Sequence, residues 1–250
     1  MNKTAAFILN HNLPDYTDML YDSLVPYKRQ DYDLFVIDNG SSVEGKSKHT
    51  SFELGENVYF GGGFNAAMQY TLENKQYDSM LFLNNDLTIH PYNFVKVLRD
   101  EMYAGYDIVS PSFYNIEPNQ QCFWKTMHSY SSANTRPVPF IDFQCPLISR
   151  RLLEEVKEIH QSLIMGWGID FLFALTANDK GWKLGVMDRC CVLHHNSLTV
   201  KRGVAGINIQ QYCQRAETGQ YEYFYNVIKR QEDYNKLRKI AENYEYQKTT

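Results

Sequence analysis

Five stretches of the chain put residues that do chemistry at the ends of apolar runs. Val36-Ile37-Asp38-Asn39-Gly40-Ser41-Ser42 ends one such run on a carboxylate, and in an open α/β sheet that is the crevice where ligands bind. Taken alone, Asp38-Asn39-Gly40 is equally well explained as turn chemistry. Tyr59-Phe60-Gly61-Gly62-Gly63-Phe64-Asn65 sets three glycines before an expected helix, where backbone can approach a ligand and free N–H groups face phosphate. Leu83-Asn84-Asn85-Asp86 places three polar residues after a buried run, and Asp86 offers hard oxygen to Mg²⁺ or Mn²⁺ shared with phosphate. Gly166-Trp167-Gly168-Ile169-Asp170 brackets an aromatic platform with glycines and ends on an acid that reads either as a helix N-cap or as a general base. His194-His195 closes the series; adjacent residues on a strand face opposite sides.

The elements that must position these groups follow from periodicity. Short continuous apolar runs at Ala5–Leu9, Leu34–Ile37 and Met80–Leu83 predict strands buried on both faces, and Val58–Phe60 predicts a further short strand. Helical spacing predicts helices over Tyr16–Val25, Asn65–Leu72, Pro91–Met102, Arg150–Ile159 and Asp170–Asn178. A strand is expected near Cys191–His194, and a long loop from Ser110 to Arg136, rich in Pro, Asn, Ser and Gln. Alternation of strand and helix implies an α/β domain with a mostly parallel central sheet flanked by helices. Beyond residue 210, Tyr221, Phe224, Tyr225, Ile228, Leu237, Ile240 and Tyr244 recur at three- and four-residue steps, an amphipathic helical tail. The division expected is a catalytic domain over 1–210 and a helical extension over 211–250.

Composition bounds the functions. The 250 residues carry a net charge of −4, which argues against a protein that coats nucleic acid. Five cysteines with no C-x-x-C pair suggest neither a disulfide framework nor a thiolate zinc site. No signal peptide or membrane span is apparent, so a cytoplasmic protein is expected, with peripheral membrane contact left open. Charge is uneven: from Lys201 onward 9 basic residues face 6 acidic ones, net +3, which leaves −7 for the rest. Seven of the 19 tyrosines fall from Tyr212 to Tyr246, interleaved with Lys and Arg. Core packing is the simpler explanation of that cluster; a surface for a second subunit, an anionic membrane or an acceptor is the sharper one.

In their order and spacing, Asn10-His11-Asn12, Ile37-Asp38-Asn39-Gly40-Ser41-Ser42, Gly61-Gly62-Gly63-Phe64-Asn65, Phe82-Leu83-Asn84-Asn85-Asp86, Gly166-Trp167-Gly168-Ile169-Asp170 and Val192-Leu193-His194 resemble family 2 glycosyltransferases of the GT-A fold, particularly the bacterial rhamnosyltransferase-like branch. The resemblance covers residues 4–200. It implies a GT-A-like nucleotide-diphospho-sugar transferase that moves a hexosyl or pentosyl group from a UDP- or dTDP-sugar to an acceptor hydroxyl with inversion. Under it, Asn10, Asp38, Gly61, Gly62, Gly63, Asn65, Asn84 and Asn85 line the nucleotide and donor. Asp86 and His194, with His195 as fallback, hold Mn²⁺ or Mg²⁺, Asp170 is the general base, and Trp167 and Gly168 face the acceptor. That acceptor would be a glycan, a lipid-linked glycan or another hydroxyl-bearing macromolecule, a modified nucleic-acid base included. Two positions depart from the family: Asn84 replaces the first acid of its D-x-D motif, and Ile169 replaces the Glu of its Glu-Asp pair, which would leave the base without a carboxylate neighbour.

Two other readings compete. Gly61, Gly63 and Ala66 satisfy G-x-G-x-x-A, and Asp86 follows Ala66 at the spacing of a ribose-binding acid, so an NAD(P)-binding Rossmann oxidoreductase is the first. The second is a sugar-nucleotide-binding module without catalysis.

Overall fold

The apolar run at the N-terminus becomes β1 (Lys3–Asn10), whose residues Thr4 to Ile8 are all buried, as expected of a strand covered on both faces. The computed structural model describes residues 3–28, 31–89, 93–113, 124–130, 134–195, 198 and 207–246. After β1 come α1 (Pro14–Leu24), β2 (Tyr32–Asp38), β3 (Thr50–Glu53), α2 (Tyr59–Glu73), β4 (Tyr77–Asn84) and β5 (Leu87–Thr88). Then follow α3 (Phe94–Tyr103), β6 (Ile108–Phe113), β7 (Thr135–Pro137), β8 (Leu147–Ser149), α4 (Arg150–Val156), α5 (Ile169–Asp179) and β9 (Leu184–His194).

The strand order is β3-β2-β1-β4-β8-β6-β9-β5, with β7 also on β9. The first four strands are parallel to one another. β8 runs antiparallel to both β4 and β6, while β6 and β9 are parallel, so the sheet is parallel on one side and mixed on the other. Register aligns the carboxyl ends of the parallel strands: Asn10 lies opposite Asp38, and Leu9 opposite Asn84.

Three expectations need correction. Val58–Phe60 is not a strand; Tyr59 already opens α2, and the third strand lies earlier, at Thr50–Glu53. That strand alternates half-buried and exposed residues and offers one large apolar side chain, Phe52, so it carried little hydrophobic signal. The expected loop from Ser110 begins inside β6, since Ile108 to Phe113 are buried, and residues 114–123 and 131–133 of that stretch lie outside the described residues. Pro91, the expected start of the third helix, also lies outside them, and the described helix begins at Phe94.

The tail folds into α6 (Ile209–Tyr221), a π-helical turn over Glu222–Val227, and α7 (Gln231–Glu242). Asn208 caps α6, accepting from the Gln211 N–H at 2.9 Å while the Gln211 side chain returns to the Asn208 N–H. The expected stripe is only partly inward: Phe224, Leu237 and Ala241 join the hydrophobic core of the sheet, together with Tyr223 and Tyr234, and Tyr225, Ile228 and Tyr244 pack against it, whereas Tyr221 and Ile240 are exposed. Most of the tail's aromatic excess is therefore core packing, and the tail closes over α5. No helix among the described residues is long and apolar enough to cross a membrane.

Candidate functional site

Asn10 and Asp38, neighbours in register, form the first corner. Both are buried, and the Asn10 amide donates to the Asp38 carboxylate at 3.1 Å and to the Gly45 carbonyl at 2.9 Å. The other Asp38 oxygen accepts from the Ser41 N–H at 3.1 Å. The Asn10 carbonyl oxygen accepts from Thr17 Oγ1 at 2.8 Å, and that hydroxyl accepts from the Asn85 amide at 3.0 Å. Asn10 and Asn85 thus belong to one buried network that holds the Asp38 loop against α1 and the end of β4.

The glycine run differs most from expectation. Gly61, Gly62 and Gly63 lie inside the first turn of α2. The N–H groups expected to meet phosphate are taken: that of Gly61 donates to the Ile164 carbonyl at 2.8 Å, and that of Gly62 to the Val58 carbonyl at 3.2 Å. The glycines permit close approach instead. A Cβ on Gly61 would lie 2.7 Å from the Leu163 carbonyl oxygen and 2.8 Å from Ile164 Cα, and one on Gly63 would lie 2.5 Å from a Leu9 methyl. Asn65 likewise accepts from the Ile159 N–H at 3.0 Å. The run packs α2 against the segment leading to Asp170, and neither the phosphate cradle nor the Rossmann turn is formed. Gly61→Ala should therefore destabilise the protein by about 1–2 kcal/mol in denaturant unfolding, because backbone overpacking exceeds the gain of about 1 kcal/mol in helix propensity. An unchanged or raised midpoint would contradict this packing role.

The second corner is Asp86. Leu87 pairs with His194 in the two-residue β5–β9 ladder, and the His195 N–H donates to the Asp86 carbonyl at 2.9 Å. This register sets His194 Nε2 3.1 Å from Asp86 Oδ1. The two atoms are off the hydrogen-bonding line, and Nε2 is buried with no hydrogen-bond partner. Burial acts most strongly on the Asp86 carboxyl and would raise its pKa, but the His194 ring and the Leu198 N–H outweigh it and hold it below the usual carboxylate range. One imidazole nitrogen and one carboxylate oxygen at this separation suit adjacent positions on a divalent cation with ligands at about 2.0–2.1 Å, the remaining positions going to phosphate and water. The residues fit such an ion as a pair: among the described residues no group of three or more His, Cys, Asp or Glu converges. His195 faces elsewhere, with Nε2 2.9 Å from the Thr88 hydroxyl and its ring against Tyr16.

The third corner is Asp170. Gly166 and Gly168 take the positive φ values 106° and 91°, which favour glycine, and turn the chain sharply around Trp167. Gly168, not Asp170, is the N-cap of α5; Asp170 sits within the first turn, its carboxylate accepting from the Phe171 N–H at 2.8 Å. Burial, and secondarily the charge of Asp142, push the Asp170 carboxyl well above the usual range. The expectation that Ile169 leaves the base without a carboxylate neighbour is therefore corrected, since Asp142 supplies one from the segment before β8. Burial pushes Asp142 itself up to about 6, against the pull of His194. Its Oδ2 accepts from Gln144 Nε2 at 2.7 Å.

A cavity of about 590 Å³ joins the second and third corners, taking in Asn84, His194, Asp142, Trp167, Gly168 and Asp170. Tail residues Tyr212, Glu217, Gln220, Tyr234 and Arg238 complete its wall. Asp142 and the tail side chains were not among the expected site residues. A lone acid within the apolar stretch Phe140–Ile148 was the available signal for Asp142.

The architecture has known counterparts. The chain is similar to GalNAc-T7, crystallised with UDP, GalNAc and Mn²⁺, at a TM-score of 0.65 and 14% identity over 94% of this chain and 55% of that one. It thus spans about half the length of GalNAc-T7. A197 from STIV is 17% identical over 77% of this chain and 85% of that one, at a TM-score of 0.47. No curated protein matches the chain in sequence. The family model of glycosyl transferase family 2 matches residues 6–157, more than half of the chain, taking in β2, β3, β4 and β1 from its fourth residue. The protein belongs to glycosyltransferase family 2 and has the GT-A fold.

Proposed function

We propose that the protein transfers a sugar from a nucleoside diphosphate to an acceptor hydroxyl with inversion, the nucleotide lying at Asp38 and a divalent cation at Asp86 and His194. What carries the reading is a single cavity lined by His194, beside Asp86, and by the buried carboxylate of Asp170. A bound cation would supply positive charge to the departing diphosphate. Asp170 takes the proton of the acceptor hydroxyl as its oxygen bonds to the anomeric carbon and the bond from that carbon to phosphate breaks. The Mn²⁺ and UDP of GalNAc-T7 support the choice of first probes.

Thermal unfolding with UDP tests the reading, with a screen of sugar nucleotides for release of nucleoside diphosphate. UDP with Mn²⁺ is expected to raise the melting temperature, a hundredfold excess over Kd being worth about 2.7 kcal/mol, and EDTA or Asp86→Asn to remove the shift. Stabilisation by NAD without metal would instead support an oxidoreductase. Metal-dependent binding with no turnover of any sugar nucleotide would leave a binding module.

A further inference from the structure

Gln144 reaches the cavity because β8 runs antiparallel to β4. Their ladder continues past Leu147, the Phe82 N–H donating to the Pro146 carbonyl at 3.1 Å and the Asn84 N–H to the Gln144 carbonyl at 3.0 Å. Gln144 is thereby set beside Asn84, two residues before Asp86, and its side chain lines the cavity with Asn84, Asp142 and His194. The amide is only half satisfied. Nε2 donates to Asp142 Oδ2 at 2.7 Å, whereas Oε1 is buried and has no hydrogen-bond partner among the described residues. The carboxyl group of Asp142 fixes which way the amide points, since a flipped amide would set oxygen against oxygen. What faces the cavity is therefore an acceptor that lacks a donor, and a buried acceptor left unpaired is costly. A group that enters the cavity and donates a hydrogen bond removes that cost. Asp142, held by the same amide, puts an acid beside the spot, so a ligand bearing its own carboxylate is repelled there.

This inference rests on the transferase reading, in which the diphosphate lies at Asp86 and His194 and the sugar attached to it enters the cavity at the end lined by Asn84, Gln144 and His194. We propose that Gln144 is a specificity-determining residue for the transferred sugar: Oε1 accepts a hydrogen bond from one hydroxyl of a neutral sugar, and Asp142 beside it excludes a uronate. The amide's donor is spent on Asp142, so Gln144 distinguishes sugars by a hydrogen they donate. A sugar without that hydroxyl leaves Oε1 unpaired.

The test measures dissociation constants by titration calorimetry on the full chain with Mn²⁺ and no acceptor. The ligands are the best sugar nucleotide of the screen, its deoxy analogues lacking each hydroxyl in turn, the matching uronate and the nucleoside diphosphate alone. In the wild type one deoxy analogue should bind about three- to tenfold more weakly than the parent, and the uronate about tenfold or more. Gln144→Leu should weaken the parent about three- to tenfold, bind that analogue as well as the parent, and keep the nucleoside diphosphate within about twofold of wild type. The two losses are one hydrogen bond removed from either side, so they should not add. The UDP–Mn²⁺ melting shift checks that the variant is folded; where Gln144→Leu fails that check, Gln144→Met replaces it. Unchanged affinity of the variant for the parent, an analogue that the variant still discriminates, or a uronate bound as tightly as the neutral sugar would overturn the proposal. So would an equal loss for the nucleoside diphosphate alone, because Gln144 would then act through the cation corner. Failure of the wild type to release nucleotide from any donor would instead remove the transferase reading beneath it.

Discussion

Asp170→Asn is expected to lower transfer about 10²–10⁴-fold and, at neutral pH, to raise the melting temperature. The two effects share a cause. The carboxyl lies buried at the start of α5 within the field of Asp142, so its charged form is disfavoured and its pKa stands well above the ordinary carboxylate value. The folded protein therefore holds this proton at pH values where the unfolded chain has released it, and stability falls as pH rises from about 4 toward the raised native value. Asparagine has the same shape and no charge to bury. The stability gap between variant and wild type should open above about pH 4 and widen until the native carboxyl has ionised, while UDP–Mn²⁺ binding persists. The wild-type rate should climb over the same interval, because only the ionised form can take a proton. Thermal unfolding from pH 4 to 9 beside initial rates checks both curves. A variant no more stable at pH 8 than at pH 4, relative to wild type, would mean that the carboxylate is solvated, and retained turnover would remove it as the base.

How far the sequence reached depended on how local each signal was. The buried strands β1, β2 and β4 announce themselves as continuous apolar runs, and the polar residues at their ends, Asp38 and Asn84 to Asp86, fall where the register brings them. His194 reaches Asp86 through a ladder of two residues, and the order of motifs anticipated that pairing. The glycines misled because their reading rests on local propensity: three consecutive glycines argue against a helix, yet the approach of α2 to Leu163 and Ile164 requires them there. Asp142 was hidden for the opposite reason. Nothing in its neighbourhood marks it, and it matters only because β8 inserts antiparallel between β4 and β6 and carries the preceding segment to the cavity. Gln220 sits on α6, which the apolar stripe beginning at Tyr221 did not mark, and the face that borders the cavity is fixed by packing of α6 against residues 161–163, where Gly219 meets Ser162.

The second large effect is expected at Tyr234, where the tail meets α5. The ring is 1% exposed, stacked on Phe224 at 4.6 Å and edge-on to Phe171 at 4.9 Å, and Phe171 directly follows Asp170. Tyr234→Ala opens a cavity the size of a ring in this cluster and should cost about 3–5 kcal/mol, read as a lowered denaturant midpoint at unchanged slope. Tyr234→Phe keeps the ring and loses a hydroxyl 3.3 Å from Arg238, so it should cost no more than about 1.5 kcal/mol. The contrast separates packing from polar contact. A detached tail would allow removal of everything from Tyr221 onward with donor hydrolysis intact, the expectation of an extension that only recruits the acceptor. Phe224, Tyr234, Leu237 and Ala241 lie in the core, so that truncation should instead give a protein that unfolds at lower temperature and loses hydrolysis and transfer together. Full donor hydrolysis in the truncated chain, or a Tyr234→Ala midpoint equal to that of Tyr234→Phe, would show that α5 holds Asp170 in place without the tail.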